Sequence, residues 1–135
     1  MAEDSRVRIA QEFFQQYFGG DVARARELLD EQAVYRVPGA HRPAGEFVGA
    51  DAVAGHLRQF RALIADPVDV LQWEDWMAGV DYVSGLASIH LQREGMELDF
   101  ELVVVVRVTD AGKIREILAF YNDEADLDRL FADQA

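Results

Sequence analysis

The chain has 135 residues, half of them hydrophobic, and its 25 acidic and 13 basic side chains give a formal net charge of −12. That length favours one domain spanning residues 1–135 with a sizeable core, and that hydrophobic share excludes a disordered chain. The acidic balance argues against nucleic-acid backbones and anionic membranes as partners, and the lack of cysteine removes disulfides, thiolate nucleophiles and cysteine metal sites.

The N-terminus, MAEDSRVRIA, is charged and lacks the apolar region of a secretory signal, and no apolar run is long enough to cross a bilayer. A soluble, cytoplasmic protein is expected. Asp4 or Ser5 caps a first helix, in which Ala10, Phe13, Phe14, Tyr17 and Phe18 recur at helical spacing before Gly19-Gly20 ends it. Asp21 caps a second helix with Val22, Ala25, Leu28 and Leu29 inward. Ala33 to Val37 reads as a short strand stopped by Pro38-Gly39, and His41 to Gly49 as a loop. Asp51 opens a third helix with Val53, Leu57, Phe60 and Ile64 on one stripe, closed at Asp66-Pro67. His56 is expected on its polar side.

Val68 to Met77 is expected as a strand carrying Trp73 and Trp76, whose odd spacing puts them on opposite faces unless a bulge intervenes. In a following strand, Tyr82 to Gln92, one face holds Ser84, Leu86, Ser88 and His90; the other holds Val83, Gly85, Ala87, Ile89 and Leu91. Arg93-Glu94-Gly95 turns the chain into a long hairpin, Leu98 to Tyr121. Its first arm places Leu98, Phe100, Leu102, Val104 and Val106 on one face and Asp99, Glu101, Val103, Val105 and Arg107 on the other. Thr109-Asp110-Ala111-Gly112 makes the connection, and Ile117, Ala119 and Tyr121 share a face of the return arm. Asn122 or Asp123 caps a last helix bearing Leu127, Leu130 and Phe131. The order, α-α-β-α-β-β-β-β-α, is that of an α+β fold in which a curved antiparallel sheet wraps N-terminal helices around an apolar cavity.

Three segments carry a family resemblance: FFQQYFGGDVARARELLDEQAVYRVPG, the loop ending FVGADAVAGHL, and RVTDAGKIREILAFYND. Over nearly the whole chain the pattern resembles the SnoaL-like branch of the nuclear transport factor 2-like superfamily. The resemblance implies a cone-shaped fold, a pocket between helices and sheet, and a homodimer packed through the sheet, which would also cover Val103 and Val105. The superfamily includes isomerases, dehydratases, cyclases, epoxide hydrolases and binding modules. The acids and tyrosine of ketosteroid isomerases fall near Val37, Val104 and Phe13 here, so that chemistry is not expected. The Arg and Asp set of limonene epoxide hydrolases falls near Leu86, Ser88 and Ala119, and is also missing.

With the hairpin faces so assigned, the cavity is lined by Phe13, Tyr17, Tyr35, Val37, Trp73 or Trp76, Leu86, Ser88, His90, Phe100, Val104, Ala119 and Tyr121. His90 is the candidate general base, with Ser88 beside it; Tyr35 and Tyr121 are candidate hydrogen-bond donors to a developing oxyanion. For each phenol the plainer alternative is core packing with its hydroxyl at the edge. Trp73 and Trp76 offer flat surfaces to a polycyclic ligand, or pack in the core. His41 and Arg42 sit in the Pro/Gly loop, read as solvated. Asp99, Glu101, Glu74 and Asp75 read as rim charges, and Asp123 as a cap. The histidines are not spaced as a metal-ligand set, no phosphate-binding Gly-rich loop follows a strand, and no Gly-x-Ser-x-Gly elbow occurs. The expectation is a cofactor-free enzyme moving a proton on a small polyketide-, terpenoid- or steroid-like substrate. A non-catalytic binder of an apolar small molecule is the alternative, and a protein-interaction module ranks last.

Overall fold

The computed structural model describes residues 4–39, 44–63 and 71–132. His41, Arg42, Ile64 and the Asp66-Pro67 break lie outside them.

Helix α1 (Ser5–Phe18) begins where the Asp4 carboxylate accepts from the Arg6 backbone N–H at 2.9 Å. This satisfies one of the donors that a helix start leaves open. Its apolar stripe is the expected one: Ala10, Phe13, Phe14, Tyr17 and Phe18 are buried, with Val7. Helix α2 (Val22–Glu27) is a short turn of chain capped by Asp21, and only Ala25 is buried on it. Leu29 has already entered β1 (Leu29–Val37), so the strand is longer at its N-terminus than the apolar alternation from Ala33 suggests.

The loop expected from His41 to Gly49 contains a strand, β2 (Gly45–Val48), paired antiparallel with β1. Its four residues are too few to show a period, and three of them are exposed. Helix α3 (Ala50–Leu63) follows, then β3 (Leu71–Ala78), β4 (Val83–Arg93), β5 (Met96–Val108), β6 (Ile114–Tyr121) and α4 (Glu124–Phe131). The Asp123 carboxylate caps α4 by accepting from the Asp126 N–H.

The strands form one sheet in the order β2-β1-β6-β5-β4-β3. All neighbours are antiparallel except β1 and β6, which run parallel because the whole meander lies between them in sequence. The α+β class is therefore as expected, with a curved six-stranded sheet. Helices α1, α3 and α4 pack on one face, α3 against β1, α1 against β3 to β5, and α4 against β4 and β5. The opposite face of the sheet carries no helix among the described residues.

Two local devices set the sheet's detail. A bulge between Trp73 and Asp75 shifts the β3–β4 register, so Trp73 pairs with Ala87 and Trp76 with Gly85. One extra residue brings both indoles to the inner face, their rings 4.5 Å apart. Gly85 is what lets them approach: a Cβ there would stand 2.8 Å from each ring. At the β4–β5 turn, Glu94 and Gly95 both have positive φ, 50° and 81°, as type I′ hairpins require. Beside that turn Arg93 is buried, and its Nη1 donates to the carbonyls of Leu130 and Ala132, tying the end of α4 to the sheet.

Candidate functional site

The two faces of the sheet settle where each candidate residue sits. Along β4 burial alternates strictly, with Val83, Gly85, Ala87, Ile89, Leu91 and Arg93 turned toward the helices. The face expected to line the cavity, Ser84, Leu86, Ser88 and His90, is the outer one. The cause is the register. Residues opposed across an antiparallel ladder share a face, and His90 lies opposite Asp99, Ser88 opposite Glu101 and Leu86 opposite Val103. Those β5 residues are the ones expected outside, and they are outside. His90, Ser88 and Leu86 therefore do not reach the interior.

On the outer face His90 sits between two carboxylates. Its Nδ1 is 2.6 Å from Asp99 Oδ1 and its Nε2 is 3.1 Å from Glu97 Oε1. Gln92 Nε2 also donates to that Glu97 oxygen at 2.9 Å. The hydrogen bond to Asp99, then that to Glu97, hold the imidazole above its ordinary value of 6.5. Ser88 Oγ donates to Glu74 at 3.2 Å. Both ring nitrogens are thus engaged by neighbouring side chains, which leaves neither open to a ligand.

The inner face is built differently. Tyr17 from α1, Tyr35 from β1 and Tyr121 from β6 place three phenols close enough that ionising one opposes ionising another. Burial first, and the neighbouring phenols second, push Tyr17 and Tyr35 well above the ordinary phenol value; burial does the same to Tyr121. All three are neutral hydrogen-bond donors at any physiological pH. None of the three hydroxyls hydrogen-bonds to another described residue.

A histidine stands beside them, and it is His56. Its side chain points inward from α3 and is 3% exposed. The ring stacks on Phe47 at 4.2 Å and tilts toward Tyr35 at 5.0 Å. The sequence carries the signal. His56 is three residues after Val53 and four before Phe60, so helical spacing puts it on their stripe and not on the polar side.

The remaining residues expected to line a cavity are core residues on the face that the hairpin alternation assigns them. Phe13, Val37, Phe100, Val104 and Ala119 are buried on the helix side of the sheet, with Tyr121 edge-on to Phe100 at 5.8 Å. Phe60 bridges Tyr17 and Phe131 at 6.1 and 5.6 Å. Trp73 and Trp76 are on the sheet's edge strand, Trp73 against Phe14, and the indole Nε1 of Trp76 is buried without an acceptor among the described residues. Trp73 also borders a groove of about 450 Å³ along α1, with Phe14, Phe18 and Leu71. The inner face thus gathers apolar surface, neutral donors, one imidazole and, at the hairpin end, the Arg93 guanidinium, and no carboxylate appears in the buried set. Among the described residues no group of His, Asp and Glu is placed to hold a metal ion.

Residues 10–117 match the family model of the SnoaL-like domain. The chain belongs to the SnoaL-like domain family. No curated protein matches this SnoaL-like chain in sequence. Among solved structures it is similar to Bal32a from a soil-derived mobile gene cassette, at 19% identity and TM-score 0.83, covering 95% of this chain and 97% of that one. A protein with a cystatin-like fold from Xanthomonas campestris is 23% identical, with TM-score 0.83 and coverage of 95% and 98%. A protein with a ketosteroid isomerase-like fold from Catenulispora acidiphila, solved in complex with trimethylamine, is 14% identical, with TM-score 0.70 and 84% of each chain covered. These likenesses are of fold. SnoaL-like and related folds house many isomerases and cyclases as well as ligand binders. No helix among the described residues is long and apolar enough to cross a membrane.

Proposed function

We propose that this SnoaL-like chain takes a small, largely apolar, oxygen-bearing molecule between its helices and the inner face of the sheet, and moves a proton on it. The substrate class is polyketide-, terpenoid- or steroid-like, and no cofactor is needed for such a step. The observation that carries this reading is His56 beside Tyr35, 5.0 Å ring to ring, on a buried face rich in aromatic rings and neutral phenols. A phenol kept neutral donates a hydrogen bond to a carbonyl or ether oxygen and favours the charge that grows there. An imidazole takes the proton that such polarisation loosens. Both act more strongly out of water than in it.

A non-catalytic binding protein is the second reading, and the lack of any carboxylate in the buried set favours it. One experiment separates the two. Small polycyclic ketones are screened by calorimetry, and each binder is incubated and its products are resolved by mass and chirality. Turnover that falls ~10²–10⁴-fold in His56→Asn, with ligand affinity kept, supports proton transfer by His56. A ligand held tightly and recovered unchanged moves the chain to the binding reading. If Tyr35→Phe and His56→Asn both leave affinity and turnover untouched, the interior is not the site.

The outer face of the sheet also needs cover. Phe120, Met77 and Val103 are 43%, 51% and 37% exposed there. A homodimer packed through this face is part of the proposal, in a cytoplasmic setting.

A further inference from the structure

Helix α1 carries a second stripe beside the one that faces the phenols. Gln11, Phe14, Gln15 and Phe18 recur at the i, i+3, i+4 and i+7 spacing that shares one face of a helix. Between this face and Leu71 and Trp73 of β3 lies the groove of about 450 Å³. That size suits a small organic molecule. Phe13 and Tyr17 do not line it, so it is distinct from the phenol cluster.

The walls of the groove are rings. Phe14 meets Trp73 edge-on at 5.6 Å, and Phe18 lies 23° from parallel to Phe14 at 6.3 Å. Its polar groups are the carboxamides of Gln11 and Gln15, one helical turn apart, and neither hydrogen-bonds to another described residue. Gly19 leaves one end without a side chain; a Cβ there would stand 2.8 Å from the Gln15 carbonyl oxygen.

Charge decides what such a groove admits. The chain is 28% charged with a net charge of −12, yet none of the described residues lining the groove is charged. An anion would face that net charge and the C-terminal end of α1, where helix carbonyls leave a partial negative charge. A cation would share that end with Arg61, whose Nη2 lies 3.5 Å from where a Gly20 Cβ would stand. An ion of either sign would give up water without a counter-charge in return.

Larger occupants fit less well. Strand β3 is the last of the sheet, so its outer edge is open to an added strand. The bulge between Trp73 and Asp75 breaks that edge, and the exposed Glu74 and Asp75 sit at the break; both features turn away edge pairing. A second copy of the chain needs about 20–30 residues a side for a stable interface, far more than line this groove.

We infer that the groove between α1 and β3 is a second ligand site, for a neutral, flat aromatic molecule that carries an amide-type donor and acceptor on one edge. Its rings lie against Phe14, Phe18 and Trp73. Its polar edge pairs with the Gln11 and Gln15 carboxamides, each of which offers both N–H donors and an oxygen acceptor. The site stands apart from the interior one proposed above and does not depend on it.

Three probes on one scaffold test it: 1-naphthamide, 1-naphthoate and 1-naphthylmethylammonium. The chain has two tryptophans, so its indole N–H signals are assigned by one Trp73→Phe spectrum. The neutral amide should bind with a dissociation constant of about 1 mM or tighter and move the Trp73 signal. Each ion should bind at least roughly tenfold more weakly. Gln15→Lys, at an exposed position, should weaken amide binding roughly tenfold or more, with Gln11→Lys as a second variant and circular dichroism to confirm folding. Tyr35→Phe should leave amide affinity within about twofold, since that phenol lies in the other site. No shift at about 1 mM amide overturns the site. Ions that bind as well as the amide overturn its chemistry. Binding kept in both lysine variants, or lost in Tyr35→Phe, places the probe in the interior and overturns the groove. A fall in molar mass by sedimentation in Gln15→Lys would make the groove a contact between copies, and overturns it as a ligand site.

Discussion

The two faces of the sheet hold polar groups of opposite kinds. Outside, His90 lies between Asp99 and Glu97, wet and ionic, with both ring nitrogens engaged. Inside, His56 and three phenols sit among aromatic rings, with no carboxylate in the buried set. A cluster of titratable groups on a strand is therefore a poor guide to a site. What matters is whether the face is dry, because only there do a few neutral donors act strongly on a bound molecule.

The faces should separate under mutation, most of all in stability. Phe13→Ala, which empties a fully buried position packed edge-on to Phe14, should cost about 3–5 kcal/mol in urea unfolding. Phe120→Ala on the outer face should change the monomer by no more than ~0.5 kcal/mol. Equal losses would mean that the outer face is as much core as the inner.

Next comes Gly85→Ala. Its new Cβ would meet both indoles at 2.8 Å, and overpacking of this kind costs about 1–3 kcal/mol. Tryptophan fluorescence should shift with it, since the ring pair has to part. An unshifted spectrum and unchanged stability would show that β3 yields cheaply at the sheet's edge.

The smallest effect belongs to His90. Its folded value lies above the ordinary 6.5, so the stability it contributes is fully present below that pH and fades as pH rises through the raised value. The stability gap between wild type and His90→Asn should be widest at mildly acid pH and close above neutrality. As an exposed pair, it should stay within about 1 kcal/mol. A gap that grew toward alkaline pH would contradict the pairing with Asp99 and Glu97.

Most of the architecture is legible in the sequence because its signals are long. The stripe of α1, the alternation of β4 and β5 and the caps Asp4, Asp21 and Asp123 repeat or recur at fixed offsets. Strand β2 is not legible, since four residues carry no period. The candidate site is legible only in part. Tyr17, Tyr35, Tyr121, Phe100 and Val104 follow from the hairpin and helix phases. His90 misleads because three polar residues on one β4 face look like equipment, while the pairing of that strand with β5 already puts Asp99 outside. Glycine and alanine at positions 85 and 87 look too small to be the core face, yet their smallness is what admits the two tryptophans. His56 escapes a reading by polarity alone, although the helix offsets place it inward.

The tip of the β4–β5 hairpin bears on engineering. Glu94 adopts a left-handed conformation that L-residues other than asparagine and aspartate enter at a cost of roughly 1–2 kcal/mol. Asparagine there would relieve part of that backbone strain while touching neither the phenols nor the exposed valines. This turn is therefore a place to raise heat tolerance without retuning recognition.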